Sequence, residues 1–186
     1  FSVIDTATDF VVVTIDVGGS PYGIAITPDG LTAYVAHFDS DDNISVIDLV
    51  MNGVIGTPIE VGTKPIGIAI TPDGSRAYVT NFGSGDVSVI DTATDIVVDT
   101  IDVGDNPGGI AITPDGSSAY VANLDSGDVS VIDTATNMVV GAPIVLGGGD
   151  FSPNGIAITP DGSSAYVAVE GGGVFEIDTA TNMVVD

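Results

Sequence analysis

His37 is the one histidine in a 186-residue chain that has no cysteine, so imidazole chemistry has a single place to occur. It opens the run His37-Phe38-Asp39-Ser40-Asp41-Asp42-Asn43. Asp39, Asp41 and Asn43 alternate as the oxygen ligands of a calcium loop do at its start. The match stops there. Ile44 stands where such a loop needs its tight-turn glycine, and no glutamate near Val50 closes the coordination. Calcium at Asp39, Asp41 and Asn43 is kept as a candidate beside the plainer reading of a solvated acidic loop. A zinc site needs three or four N, S or O ligands, which one histidine without cysteine does not supply. Serines and threonines are plentiful, but there is no G-x-S-x-G elbow and no second histidine to activate one. The glycine runs at Gly147–Asp150 and Gly171–Gly173 lack the Lys-Ser/Thr that follows a phosphate-binding loop. The sequence therefore points to no catalytic residue and no required cofactor. Asn43-Ile44-Ser45 is the one N-x-S/T sequon, a glycosylation candidate if the chain is exported.

Acidic residues dominate the charge: 26 Asp and Glu face Lys64 and Arg76 alone, a formal net charge of −24. With 44% hydrophobic residues the chain is too apolar to be disordered by charge. Two cations cannot form the basic face that nucleic acid requires, nor dock on anionic lipid. No apolar run approaches the roughly 18 residues of a membrane span. Such an acid excess suits high salt, where counterions weaken self-repulsion.

The elements that must position any site are set by repetition. GIAITPDG occurs four times, starting at Gly23, Gly67, Gly109 and Gly155. The dipeptide Ile-Asp closes a β-rich run at Asp5, Asp48, Asp91, Asp133 and Asp178. Each unit reads as four short strands: GIAI; AYVA or AYVT after a TPDG turn; VSVID; and, after DTAT, a run such as IVVDTIDV. Asp in both turns is explained by bonds to nearby backbone N–H groups. Helical periodicity is absent, so the expected class is all-β. One domain spans residues 1–186, with units at about 1–19 (half), 20–63, 64–104, 105–149 and 150–186.

Four strands in a repeat of this length predict β-propeller blades, about four and a half of them. Tyr78-Val79-Thr80-Asn81 spells YVTN, and its surroundings resemble the YVTN-type β-propeller repeat of surface-layer and other cell-surface proteins. The other copies depart to YVAH at Tyr34, YVAN at Tyr120 and YVAV at Tyr166. The count starts and stops mid-blade, which leaves three readings: a segment of a larger array, an open or partial propeller whose ends pair between chains, or a small closed ring with an extra half blade. Tyr34, Tyr78, Tyr120 and Tyr166 recur at one place in each unit and read as packing between blades. Tyr22 does not recur and is a candidate for contact at the channel mouth. The propeller pattern gathers Tyr22, His37, Phe38, Asn81, Phe82, Asp86, Asn123, Asp125, Asp128 and Glu170 on one face that meets a ligand or partner.

The resemblance implies a non-enzymatic extracellular or cell-surface module of prokaryotic origin, archaeal by preference. It would act as a structural or protein- or glycan-binding scaffold and self-assemble through open blade edges. Its partners would be copies of itself, further blades of a longer chain, or extracellular protein or glycan, with neither nucleic acid nor membrane insertion. The alternative is a fragment of a propeller enzyme, lactonase-like or a quinone- or haem-dependent oxidoreductase.

Overall fold

The computed structural model describes residues 1–38, 43–147 and 151–185. Among these residues there is no helix, and the chain is all-β. β1 (Ser2–Asp5) and β2 (Phe10–Thr14) form a two-stranded sheet. β3 (Pro21–Ile26), β4 (Thr32–His37), β5 (Asn43–Asp48) and β6 (Gly53–Glu60) form the next. The third sheet holds β7 (Pro65–Ile70), β8 (Arg76–Asn81), β9 (Asp86–Asp91) and β10 (Ile96–Asp102). In the fourth, β11 (Pro107–Ile112), β12 (Ser118–Asn123) and β13 (Asp128–Asp133) are edged by two short strands, β14 (Met138–Val139) and β15 (Ile144–Val145). The fifth contains β16 (Ser152–Ile158), β17 (Ser164–Glu170), β18 (Gly173–Asp178) and β19 (Met183–Val184). Every pairing is antiparallel between neighbours, with β13 meeting both β14 and β15.

The turns hold themselves shut. In the β7–β8 turn the Thr71 hydroxyl donates to Asp73 at 2.6 Å and accepts from the Arg76 amide at 3.1 Å, while Asp73 accepts from the Ser75 amide at 3.0 Å. Gly74 closes the turn at φ 75°, where a side chain would be strained. The same bonds recur at Asp29, Asp115 and Asp161. The threonine hydroxyl and the following amide stabilise the carboxylate, holding Asp115 and Asp161 down at about 2. In the second turn type Asp133 accepts from the Thr136 amide, and the next residue, Asn137, turns left-handed at φ 55°. Asp9, Asn52, Asp95 and Asn182 share that conformation, which Asn and Asp tolerate best among residues with a side chain.

The sheets stack face to face in chain order, with β3, β7, β11 and β16 adjacent along the inner line. That line explains the glycine of three of the four GIAI strands. A Cβ on Gly23 would lie 1.9 Å from the Ile66 carbonyl oxygen, one on Gly67 2.6 Å from that of Gly108, and one on Gly109 2.4 Å from that of Asn154. Between the sheets lie four apolar cores. Tyr34, Ala36, Ile44 and Val46 meet Ala77, Val79 and Ile90; Tyr78, Val87 and Val89 meet Ala119, Val121 and Ile132. Tyr120, Ala122, Val129 and Val131 meet Ala165, Val167 and Ile177; Val3 and Val13 meet Ala33, Val35 and Ile47. Strand alternation thus gives each of the last four sheets a tyrosine face and an alanine–valine–isoleucine face, and each of the three interfaces between them joins one of each kind.

Candidate functional site

Two places in this stack are chemically distinctive: the faces at its two ends, and the edge where the sheet-to-sheet junctions meet the ends of β4, β8 and β12.

At the internal interfaces the tyrosine hydroxyl reaches across. Tyr34 donates to Asp95 at 2.7 Å, Tyr78 to Asn137 at 2.8 Å and Tyr120 to Asn182 at 2.6 Å, so each sheet is fastened to the left-handed turn residue of the next. These three tyrosines are 0–1% exposed. Burial raises all three phenols, Tyr78 to about 12, and the Asp95 carboxylate raises Tyr34 further. Tyr166 holds the same place in the last sheet yet is 41% exposed, beside Val174 at 65%. Gly155 likewise keeps the glycine of its strand, although a Cβ there would come no closer than 3.9 Å to anything described. Glu176, cross-strand from Tyr166, stands where Val46, Val89 and Val131 are buried in the other sheets. At the opposite end Ile4 is 56% exposed; its counterparts Ile47, Ile90, Ile132 and Ile177 are fully buried. Val11, its cross-strand partner, is open as well. The repeated tyrosines and isoleucines are thus packing residues wherever a neighbouring sheet exists, and exposed where none does.

At the junction edge the sequence-predicted residues divide. Tyr22, Phe38 and Phe82 come together: the Tyr22 and Phe38 ring centroids are 5.7 Å apart, those of Phe38 and Phe82 6.0 Å, and the Lys64 ammonium lies 5.8 Å from the Phe38 ring. His37, Asn81 and Asn123 lie beneath them, buried. His37 is held at both nitrogens, Nδ1 2.6 Å from the Gly19 carbonyl oxygen and Nε2 2.9 Å from Ser45 Oγ. Asn81 donates to Asp86 at 2.6 Å and Ser88 at 2.9 Å; Asn123 donates to Asp128 at 2.7 Å and Ser130 at 2.9 Å. Asp86 and Asp128 therefore brace the second and third strands of their sheets. Asp125 is exposed and accepts from Asn106, and Glu170 is exposed at the end of β17. The Asn-Asp-Ser brace escaped the sequence reading, although the repeated N-x4-D-x-S spacing of residues 81–88 and 123–130 carried it. Of the calcium candidates, Asp39 and Asp41 lie outside the described residues, while Asn43, also the sequon residue, begins β5 opposite Glu60.

No family model matches the chain, and no curated protein matches it. Among solved structures it is similar to a chain of Kuenenia stuttgartiensis hydrazine synthase, with TM-score 0.84 and 33% sequence identity over 93% of this chain. The alignment takes in 50% of that chain, so the sequence spans about half the length of the structure it matches.

Proposed function

We propose that the chain is a run of β-propeller blades of the YVTN type. It acts as a non-enzymatic extracellular or cell-surface scaffold whose two end faces take further sheets of the same kind. The observation that carries this reading is the tyrosine face of the last sheet. Tyr166, Ala168 and Gly155 repeat the residues that hold the internal interfaces together, without a described sheet against them. The first sheet offers the matching half, with Ile4, Val11 and the left-handed Asp9 in the place of Asp95 and Asn137. For these 186 residues by themselves in solution, the sheet that can fill this place is that of a second copy, joined head to tail. Because Glu176 replaces a valine and the first sheet lacks two strands, this contact is weaker than the internal ones. Light scattering over rising concentration tests it. Mass should climb for the wild type and stay monomeric for Ile4→Asp; a wild type that remains monomeric throughout contradicts the reading.

The alternative is a fragment of a propeller enzyme, lactonase-like or a quinone- or haem-dependent oxidoreductase, and the hydrazine synthase chain matches neither reading clearly. Against the alternative stands the one imidazole, buried and bonded at both nitrogens.

A further inference from the structure

Among the positions at which the blade copies diverge, two lie together at one edge. The residue after the proline that opens each inner strand is Tyr22, Ile66, Gly108 and Asn154 in turn. The residue after each second strand's buried His, Asn or Val is Phe38, Phe82, Leu124 and Glu170. All of these but Glu170 line one cavity of about 240 Å³ at the junction edge. The clefts at the opposite edge are lined instead by the repeated Thr, Pro and Asp of the TPDG turns. Stacking holds the interface positions to the same residue from copy to copy, whereas the residues around this cavity are not held to the repeat.

The cavity's size and lining say what it takes. Small-molecule sites run from about 300 to 1,000 Å³, so this one holds a single ring rather than a nucleotide or cofactor. Its walls are the Tyr22, Phe38 and Phe82 rings with Ile66 and Leu124. Polar side-chain groups come only from Tyr22 and Asn154, since the Gly108 carbonyl is engaged by the Thr80 hydroxyl at 2.6 Å. A sugar ring, with hydroxyls on all sides, would leave most of them unpaired. An aromatic side chain meets rings already set edge to face, Phe38 and Phe82 lying at 66° to one another. The Lys64 ammonium, one of the chain's two cations, already lies over the Phe38 ring at 5.8 Å, so it is the ring of an incoming side chain and not its charge that enters here. Asp105 and Asp125 are exposed at the same edge of a chain of net charge −24. The field therefore favours a basic partner.

We propose that this cavity anchors one aromatic side chain of a basic polypeptide segment. The proposal rests on the binding-scaffold reading and names the partner's chemistry. Because the chain has no tryptophan, the indole of the peptide Lys-Lys-Trp-Lys-Lys can be followed alone. Its emission should shift to the blue on addition of the full chain. Tyr22→Ser and Leu124→Asp, checked for folding by circular dichroism, should each weaken binding about tenfold or more, and Tyr166→Ser should not. Wild-type affinity in both cavity variants overturns the proposal. So does equal competition by Lys-Lys-Ala-Lys-Lys, which would mean charge alone, or displacement of the peptide by cellotetraose, which would mean a sugar site. Ile4→Asp separates the two readings, since it should abolish association and leave peptide binding intact. A monomeric chain that binds the peptide sinks the stacking account alone, and an associating chain that ignores the peptide sinks only this one.

Discussion

Removing one oxygen from each repeated tyrosine compares a single interaction in four settings inside one molecule. Tyr34→Phe loses a bond to a carboxylate, that of Asp95 at 2.7 Å. Hydrogen bonds to charged groups are worth about 1.5–3 kcal/mol, and Asp95 is exposed enough to be rehydrated, so the low end, about 1.5 kcal/mol, applies. Tyr78→Phe and Tyr120→Phe lose bonds to neutral amides, Asn137 at 2.8 Å and Asn182 at 2.6 Å, and should cost about 1 kcal/mol each. Tyr166→Phe removes no inter-sheet bond and should leave stability unchanged. With a urea slope of about 2 kcal/mol/M, the midpoint falls by about 0.7 M for Tyr34→Phe and by about 0.5 M for the next two. Urea titration followed by circular dichroism, at a concentration where the chain is monomeric, reads these shifts. Equal losses at Tyr78 and Tyr166 would refute the reasoning, because the hydroxyl would then act within its own sheet rather than between sheets.

Gly67→Ala should destabilise strongly or prevent folding, since its Cβ would lie 2.6 Å from the Gly108 carbonyl oxygen and 2.8 Å from Thr80 Oγ1; Gly155→Ala should be tolerated in the monomer, as thermal melts of the pair will show. The buried phenols make the fold alkali-sensitive: folded Tyr78 titrates near 12 against 10.0 unfolded, so its contribution is complete below about pH 10 and is lost as pH rises towards 12. Urea midpoints should fall across that window, and less so in Tyr78→Phe. Glu176→Val restores the residue found at the internal interfaces, and light scattering should show association at lower concentration than for the wild type.

Much of the fold could be read from the sequence because repetition multiplied weak local signals. TPDG and DTAT turns bracket short β-branched runs, and the structure places antiparallel strands there with the turn Asp residues bonding backbone amides. The glycine of GIAI was legible as part of a repeat, though not the carbonyl 1.9 Å from the Gly23 Cβ position, because inter-sheet distance is not a local property. The candidate site was less legible. Spacing grouped Tyr22, Phe38 and Phe82 with His37, Asn81 and Asn123, but alternation along β4, β8 and β12 buries the last three and leaves the first three at the edge. Glu176 passed unnoticed because one carboxylate among 26 carries no signal until its cross-strand neighbour Tyr166 is known.

The face of Tyr166 and the face of Ile4 and Asp9 are proposed as two halves of one further inter-sheet contact. The chain contains no cysteine, so a double variant, Asp9→Cys with Tyr166→Cys, reports on that contact alone when treated with a short bismaleimide. A ladder of covalent dimers and larger species should form, and should disappear when Ile4→Asp is added. Cross-linking no greater than that of either single variant, at concentrations where the chain associates, would contradict it.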